Sequence, residues 1–507
     1  MRVTSLALAL LALAPACGPK KDDKEDKAAT GGSAAVVAPA APPVAVAQKP
    51  LPPLAANPEG ATGKPARLTT FGGLGIDSAR GVAVAADGAA YLVGYFDADI
   101  TFPAPIGIKT APTADAKKPA AQAFVVKVGS DGKIAWVDTW GGDREDTANA
   151  VAVNGGTIAV AGNFYGKFSV GTLATKSAGS DDAIVAAYDD QGTVQWVWNI
   201  GGIDSDGANA IAAAPDGGWV VGGSFSNEMT VGGQTLKSRG GTDGMLIKLK
   251  ATGELEWIKQ FGGAYQDQIS HVAVDGNGNI VIQGVFRDIA DWGGDKLKAG
   301  GGSDNDVVLA KYDLNGTHLW SQRFGNAFNE VAGGVTIDPS GFITMVGSFD
   351  KSVSFGKLDD HKAVGESDIF VSRFSPTGEL QWAKTFGADR EDIASGVATD
   401  AAGNTVTTGW FQNSVNFGTG ALVSKGNKDI FALKLDVKGD VVWAQRFGDK
   451  DHDQGRAIAL DAKGNTYLAG IYRFTLDPGA GVTAQSSVRA DADRIPKPDS
   501  FLLVLER

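Results

Sequence analysis

Carboxylates recur along this chain at a spacing that could build a cation site. Seven acids, Asp77, Asp146, Asp206, Asp267, Glu330, Asp392 and Asp453, each stand six residues after an aromatic or aliphatic residue that is followed by glycine. A second set, Asp182, Asp243, Asp306, Asp368, Asp429 and Asp499, precedes a later apolar run, with Gln122 in the equivalent place of the first unit. Clustered carboxylate oxygens suit a hard cation such as Ca²⁺, or a cationic ligand. The competing reading is that each acid caps backbone N–H groups in a turn that every unit repeats. A unique site does not need seven copies, and the capping reading carries more weight.

Two local clusters are more individual. Asp449, Asp451 and Asp453 alternate as in calcium loops, but Gln454 and Leu460 stand where such loops carry Gly and Glu. Asp275, Asn277 and Asn279 offer alternating side-chain oxygens, and an ordinary hairpin turn explains them as well. Calcium is therefore the one metal the sequence admits as a ligand. Catalytic spacing is lacking: His271, His318, His361 and His452 are scattered, with no HExxH pair for zinc and no nucleophile elbow. The chain reads as a binding protein rather than an enzyme, with convergence of groups on a central channel the route by which catalysis could still arise.

Cys17 is the only cysteine, so no disulfide can form within the chain. Arg2, the apolar run over residues 5–14 and the small residues before Cys17 form a targeting signal too short to span a membrane. Leu13-Ala14-Pro15-Ala16-Cys17 resembles a bacterial lipobox, with Ala14 where Leu is usual. That resemblance implies cleavage after residue 16, a lipid-modified (palmitate-bearing) Cys17 and attachment to the membrane through it. Gly18 follows the cysteine, which by resemblance to known sorting patterns favours the outer membrane. Residues 17–63 then read as a lipid anchor and tether. The mixed charges from Lys20 to Lys27 give way to Ala/Pro-rich sequence that has too little apolar surface to order itself.

The elements that position these residues follow from a repeat. The anchors Phe71, Trp140, Ile200, Phe261, Phe324, Phe386 and Phe447 are spaced 69, 60, 61, 63, 62 and 61 residues apart. Every unit contains four strand signals. A short apolar alternation leads through an Asp/Gly turn to a strand ending in Gly-x-aromatic, from Phe96 to Tyr472. A longer loop enters the third strand, and a Gly turn enters the fourth, which carries Trp four residues before the anchor at Trp136, Trp196, Trp257, Trp320, Trp382 and Trp443. Even spacing places Trp and anchor on one face, where they pack neighbouring sheets together.

Four-stranded units repeated radially make a β-propeller. The chain stops at the third strand of unit seven, Phe501 to Leu505, and the missing fourth strand is supplied by Ala66 to Gly72, with Arg67 in place of Trp. The predicted fold is therefore all-β over residues 64–507: seven blades, closed by the N-terminal strand completing the last one. These motifs resemble the SBBP repeats of bacterial β-propellers, in their GG…D start, their turn, the aspartate before strand three and the W-x-x-x-hydrophobic-Gly strand. Members are mostly surface or secreted proteins, so the resemblance implies a fold and an envelope setting but little chemistry. A weaker similarity to PQQ-type repeats, through Asp313 to Trp320, fails on blade length.

The net charge of −12 argues against nucleic acid as a partner. Loop length is the most individual feature. Between the second-strand aromatic and strand three, units two to six span 18 to 20 residues, whereas unit one spans 26 and unit seven 27. These neighbouring loops carry Lys109, Lys117, Lys118, Arg489, Arg494 and Lys497, a candidate basic wall for a partner; tolerated insertion is the alternative. A glycan binder should instead display aromatics such as Tyr95, Trp219 or Trp410 on the same face. The resulting expectation is a monomeric, lipid-anchored binding or scaffold module of the cell envelope. Its ligand is a protein, or alternatively a polysaccharide or a calcium-dependent ligand.

Overall fold

The short apolar alternations become seven inner strands: Asp77–Val84, Thr147–Asn154, Asp206–Ala213, Gln268–Val274, Glu330–Ile337, Ile393–Thr399 and Gln454–Leu460. Each begins an antiparallel four-stranded sheet whose strands follow one another outward, so each sequence unit is one blade. The computed structural model describes residues 62–110, 120–142, 144–301, 304–356, 360–479, 482–486 and 496–507, and every regular element among them is a strand. The signal segment, Cys17 and nearly all of the tether lie outside the described residues. Every inner strand touches the inner strands of both neighbours, the seventh meeting the first, which closes a seven-bladed ring.

Closure comes from the N-terminal strand, as the repeat arithmetic requires. Pro65–Gly73 pairs antiparallel with Asp499–Leu505, Thr69 opposite Leu502, as the outer strand of blade seven. The termini are zipped by Glu506 N–H donating to the Lys64 carbonyl at 2.8 Å. The third strand of blade seven is thereby paired on both sides.

The core lies between blades. Tyr91, Val125 and Trp140 of blade one pack with Val160 and Phe164 of blade two, and equivalent clusters recur around the ring. The recurring Trp residues also tie blades together by hydrogen bonds. Trp136, Trp196, Trp257, Trp320 and Trp382 each donate from Nε1 to a carbonyl in the outer turn of the next blade: Asp190, Ala251, Leu314, Pro376 and Val437, at 3.0 to 3.3 Å. Trp443 has no such partner, because the outer turn it would reach is the break between the chain's two ends. Gly63 covers its ring instead.

The second glycine after four of the anchors, Gly73, Gly142, Gly202 and Gly263, has a steric reason. The segment following a second strand folds back against the outer strand of the preceding blade, pairing Ile100 with Gly73 and Ala290 with Gly263. A Cβ on Gly73 would sit 1.8 Å from the Asp99 carbonyl oxygen, and one on Gly263 would sit 1.9 Å from that of Ile289. Only glycine admits this approach.

Candidate functional site

All seven inner strands carry a β-bulge three residues after the recurring acid. The registers break between Ala79 and Gly81, Ala148 and Ala150, Ala208 and Ala210, Ile269 and His271, Ala332 and Gly334, Ala394 and Gly396, and Gly455 and Ala457. A bulge re-aims one side chain out of the ladder. The extra residues are Arg80, Asn149, Asn209, Ser270, Gly333, Ser395 and Arg456, and apart from Ser270 they line the axial channel. The bulge recurs in every blade, but its residue varies: arginine in blades one and seven, asparagine in two and three, serine in four and six, glycine in five.

Several of these side chains hold the next blade. Asn149 donates from Nδ2 to the Ala208 carbonyl at 3.1 Å, Asn209 to that of Ile269 at 2.9 Å, and Ser395 Oγ to that of Gly455 at 2.6 Å. The two arginines are different. Blades one and seven are neighbours, so Arg80 and Arg456 stand together, and neither forms an ion pair with a described acid. Arg80 donates to Asn149 Oδ1 at 2.8 Å and stacks 4.9 Å above the Tyr95 ring; Arg456 donates to Gln454 Oε1 at 3.1 Å. Burial, and then the charge of Arg80, push Arg456 down to about 10. The pair flanks a recess of ≈ 520 Å³ at the channel mouth, shared with Asn149, Asn209, Gln454 and Trp410. Adjoining it through Asn163 and Asn209, a second recess of ≈ 380 Å³ is lined by Asp181, Asp206 and Asp267. Basic and acidic side chains thus line adjoining recesses.

The recurring acids meet in pairs at the blade seams. Asp206 is influenced by Asp182, Asp267 by Asp243, Glu330 by Asp306, Asp392 by Asp368, Asp453 by Asp429, and Asp77 by Asp499 across the closing seam. Anchor glycines lie between the two, Gly262 between Asp243 and Asp267, and Gly325 between Asp306 and Glu330. In the seam of blades one and two the first partner is Gln122, whose Nε2 lies 3.4 Å from Asp146 Oδ2. Each inner-strand aspartate caps its own entry turn. Gly73 N–H donates to Asp77 at 2.6 Å, Gly142 to Asp146 at 2.8 Å and Gly202 to Asp206 at 2.6 Å. Burial first, and the facing carboxylate in addition, raise Asp77 to about 8, Glu330 to about 9, and Asp206, Asp392 and Asp453 to about 7. Arg323 compensates Asp306 at 2.6 Å, and Arg446 pairs with Asp429.

Residues 256–281 match the profile of SBBP, described as a beta-propeller repeat. The chain carries an SBBP repeat. That segment joins the outer strand of blade three to the inner strand of blade four, so it contains an anchor, its glycines, Asp267 and the bulge at Ser270. The regulatory protein FlaEY of Caulobacter vibrioides is 24% identical over 455 residues, covering 84% of this chain and 46% of that protein. An uncharacterized WD repeat-containing protein, L264, of Acanthamoeba polyphaga mimivirus is 23% identical over 247 residues, 41% of this chain and 18% of that protein. The chain thus covers less than half the length of either relative. Among solved structures, Sqt1 from Chaetomium thermophilum aligns over 87% of this chain and all of its own, with TM-score 0.42 and 9% identity.

The other sequence candidates fall at several places in the ring. Asp275 is an Asx turn: its Oδ1 accepts from Asn277 and Asn279 N–H at 2.9 and 2.8 Å, and its Oδ2 from Asn279 Nδ2 at 2.6 Å. Asp400 recurs in this role and also accepts the buried Lys434 ammonium at 3.0 Å. In the other cluster, Asp453 is turned inward as a cap for Asp449 N–H, while Asp451 pairs with His452 and lies 4.0 Å from Arg473. Among the described residues no group of three or more potential metal ligands converges.

Trp410 lines the basic recess and Tyr95 supports Arg80 beside it, whereas Trp219 is fully buried and presents nothing. Lys109 ends the small strand Gly107–Lys109 at the outer edge of blade seven, away from the mouth, and Lys497 is exposed beside strand three of that blade. Lys117, Lys118, Arg489 and Arg494 lie outside the described residues. Sequence reading missed Arg80 and Arg456. The signal was available as two arginines at one repeat position, but only the bulge shows that this position faces the channel.

Proposed function

We propose that this protein is a binding module of the cell envelope that takes its partner on the face bearing the channel mouth. It is held there by a lipid on Cys17, with residues 17–63 as tether and the outer membrane as its site. The observation carrying the reading is the set of seven inner-strand bulges. A rigid, repeated scaffold carries arginine, asparagine, serine or glycine at one structural position, which is how a propeller acquires an individual site without altering its fold. The module works as a monomer, binds no nucleic acid and performs no chemistry of its own.

The test is retention from native envelope on the full-length protein, on a Trp410→Ala/Arg456→Met variant, and on one with the loops over 97–121 and 473–498 shortened. Material lost with either altered face supports the reading, and the variant that loses it locates the contact. Equal retention by all three contradicts it.

A further inference from the structure

We propose that the recess flanked by Arg80 and Arg456 binds an acidic saccharide, a chain of carboxylate-bearing sugars, with the two guanidinium groups holding the carboxylate. This rests on the reading of the channel mouth as the binding face and gives that face its ligand class.

The cations are the first argument. On a chain of net charge −12, Arg80 and Arg456 stand side by side without a described acid opposite. Two like charges held together at the cavity mouth repel until an anion joins them. Guanidinium groups match a carboxylate through paired N–H donors. Arg80 is already oriented for this, stacked on Tyr95 at 4.9 Å and held through Nη1 by Asn149 at 2.8 Å.

The remaining lining decides between anions. Asn209 and Gln454 bring amides that both donate and accept, which suits the hydroxyls of a sugar. Trp410 supplies an aromatic surface beside them, with an apolar body for a pyranose face. Its neighbour Lys428 is neutralised by Glu391, so it does not compete for the anion. At ≈ 520 Å³ the recess has the size of a small-ligand site and opens upward, so a chain can continue beyond the bound sugar. The adjoining recess, with the part-exposed Asp181, disfavours a second carboxylate on that side.

The test is calorimetric titration of the full-length protein with trigalacturonate, its fully methyl-esterified counterpart and an acidic hexapeptide. Expected is saturable binding of the acid trimer that weakens with added salt, and binding weaker by roughly tenfold or more for the ester and for Arg80→Met. Arg80 is exposed, so that variant folds independently of the outcome; Arg456→Met, checked by its thermal transition, should lose at least as much. No binding of the acid trimer, equal binding of the ester, or an unchanged Arg80→Met overturns the inference. A hexapeptide bound as tightly as the trimer overturns the sugar assignment. Face-dependent retention of envelope material that is insensitive to Arg80→Met sinks this inference while leaving the binding face standing.

Discussion

Arg80 of blade one donates from Nη1 to Asn149 Oδ1 of blade two at 2.8 Å, while the Asn149 amide donates onward to the Ala208 carbonyl of blade three at 3.1 Å. One side chain thus links three blades and aims a channel cation. Asn149→Ala removes both bonds. It should lower stability by about 1–2 kcal/mol and weaken anion binding, without altering the fold. Thermal unfolding reads the first effect and titration the second; a stability loss with unchanged binding would show that Arg80 needs no positioning.

The seam carboxyls make stability fall as pH rises. Asp77 and Glu330, with ordinary values of 3.8 and 4.5, stand at about 8 and about 9 in the fold, so the native state binds more protons than the unfolded chain between these limits. Groups with raised carboxyl values contribute most below their unfolded values and progressively destabilise the fold as pH climbs through the native ones. The melting temperature should therefore be higher at pH 5 than at pH 8.5. Glu330→Gln should raise it at pH 8.5 and flatten the profile, with on the order of 2–4 °C per kcal/mol recovered. A variant profile parallel to the wild type would exclude Glu330 as a source.

Gly263→Ala should destabilise by more than about 2 kcal/mol, because its Cβ would meet the Ile289 carbonyl oxygen at 1.9 Å and backbone cannot move aside cheaply. Limited proteolysis should then cut first in the 287–298 segment that pairs with this strand. Cleavage elsewhere would place the strain away from the blade-to-blade contact.

Lys434 and Asp400 form an ion pair at 3.0 Å with side chains 2% and 6% exposed. Lys434→Met leaves the aspartate buried without its cation and should cost about 3–5 kcal/mol. Lys434→Met combined with Asp400→Asn should recover much of the loss, as denaturant midpoints would show.

The fold was legible because its signals repeat. Seven anchors, six Trp residues and paired acids gave blade number, strand order and the closing strand before any coordinate, since each feature serves packing that every blade must reproduce. The Trp hydrogen bonds and the carboxyl pairing across seams were less visible, as the first join residues about 55 positions apart and the second residues 24 apart or at opposite ends of the chain. The mouth was hardest to read. Arg80 and Arg456 occupy a position filled elsewhere by Asn, Ser and Gly. A bulge leaves no composition signal, so alternation alone does not place these residues on the channel side. Tyr95 and Trp410 were found by residue type, and their placement around a basic recess depends on the ring closing.

The most direct measurement is hydrogen–deuterium exchange of the full-length protein with and without its retained ligand. Binding at the mouth predicts slowed exchange at the strand entries and bulges over 77–81, 147–150 and 453–457 and around Trp410, with the turns of the opposite face, 85–89 and 275–279, unchanged. Protection confined to those opposite turns, or to the outer strands, would contradict a binding face at the channel mouth.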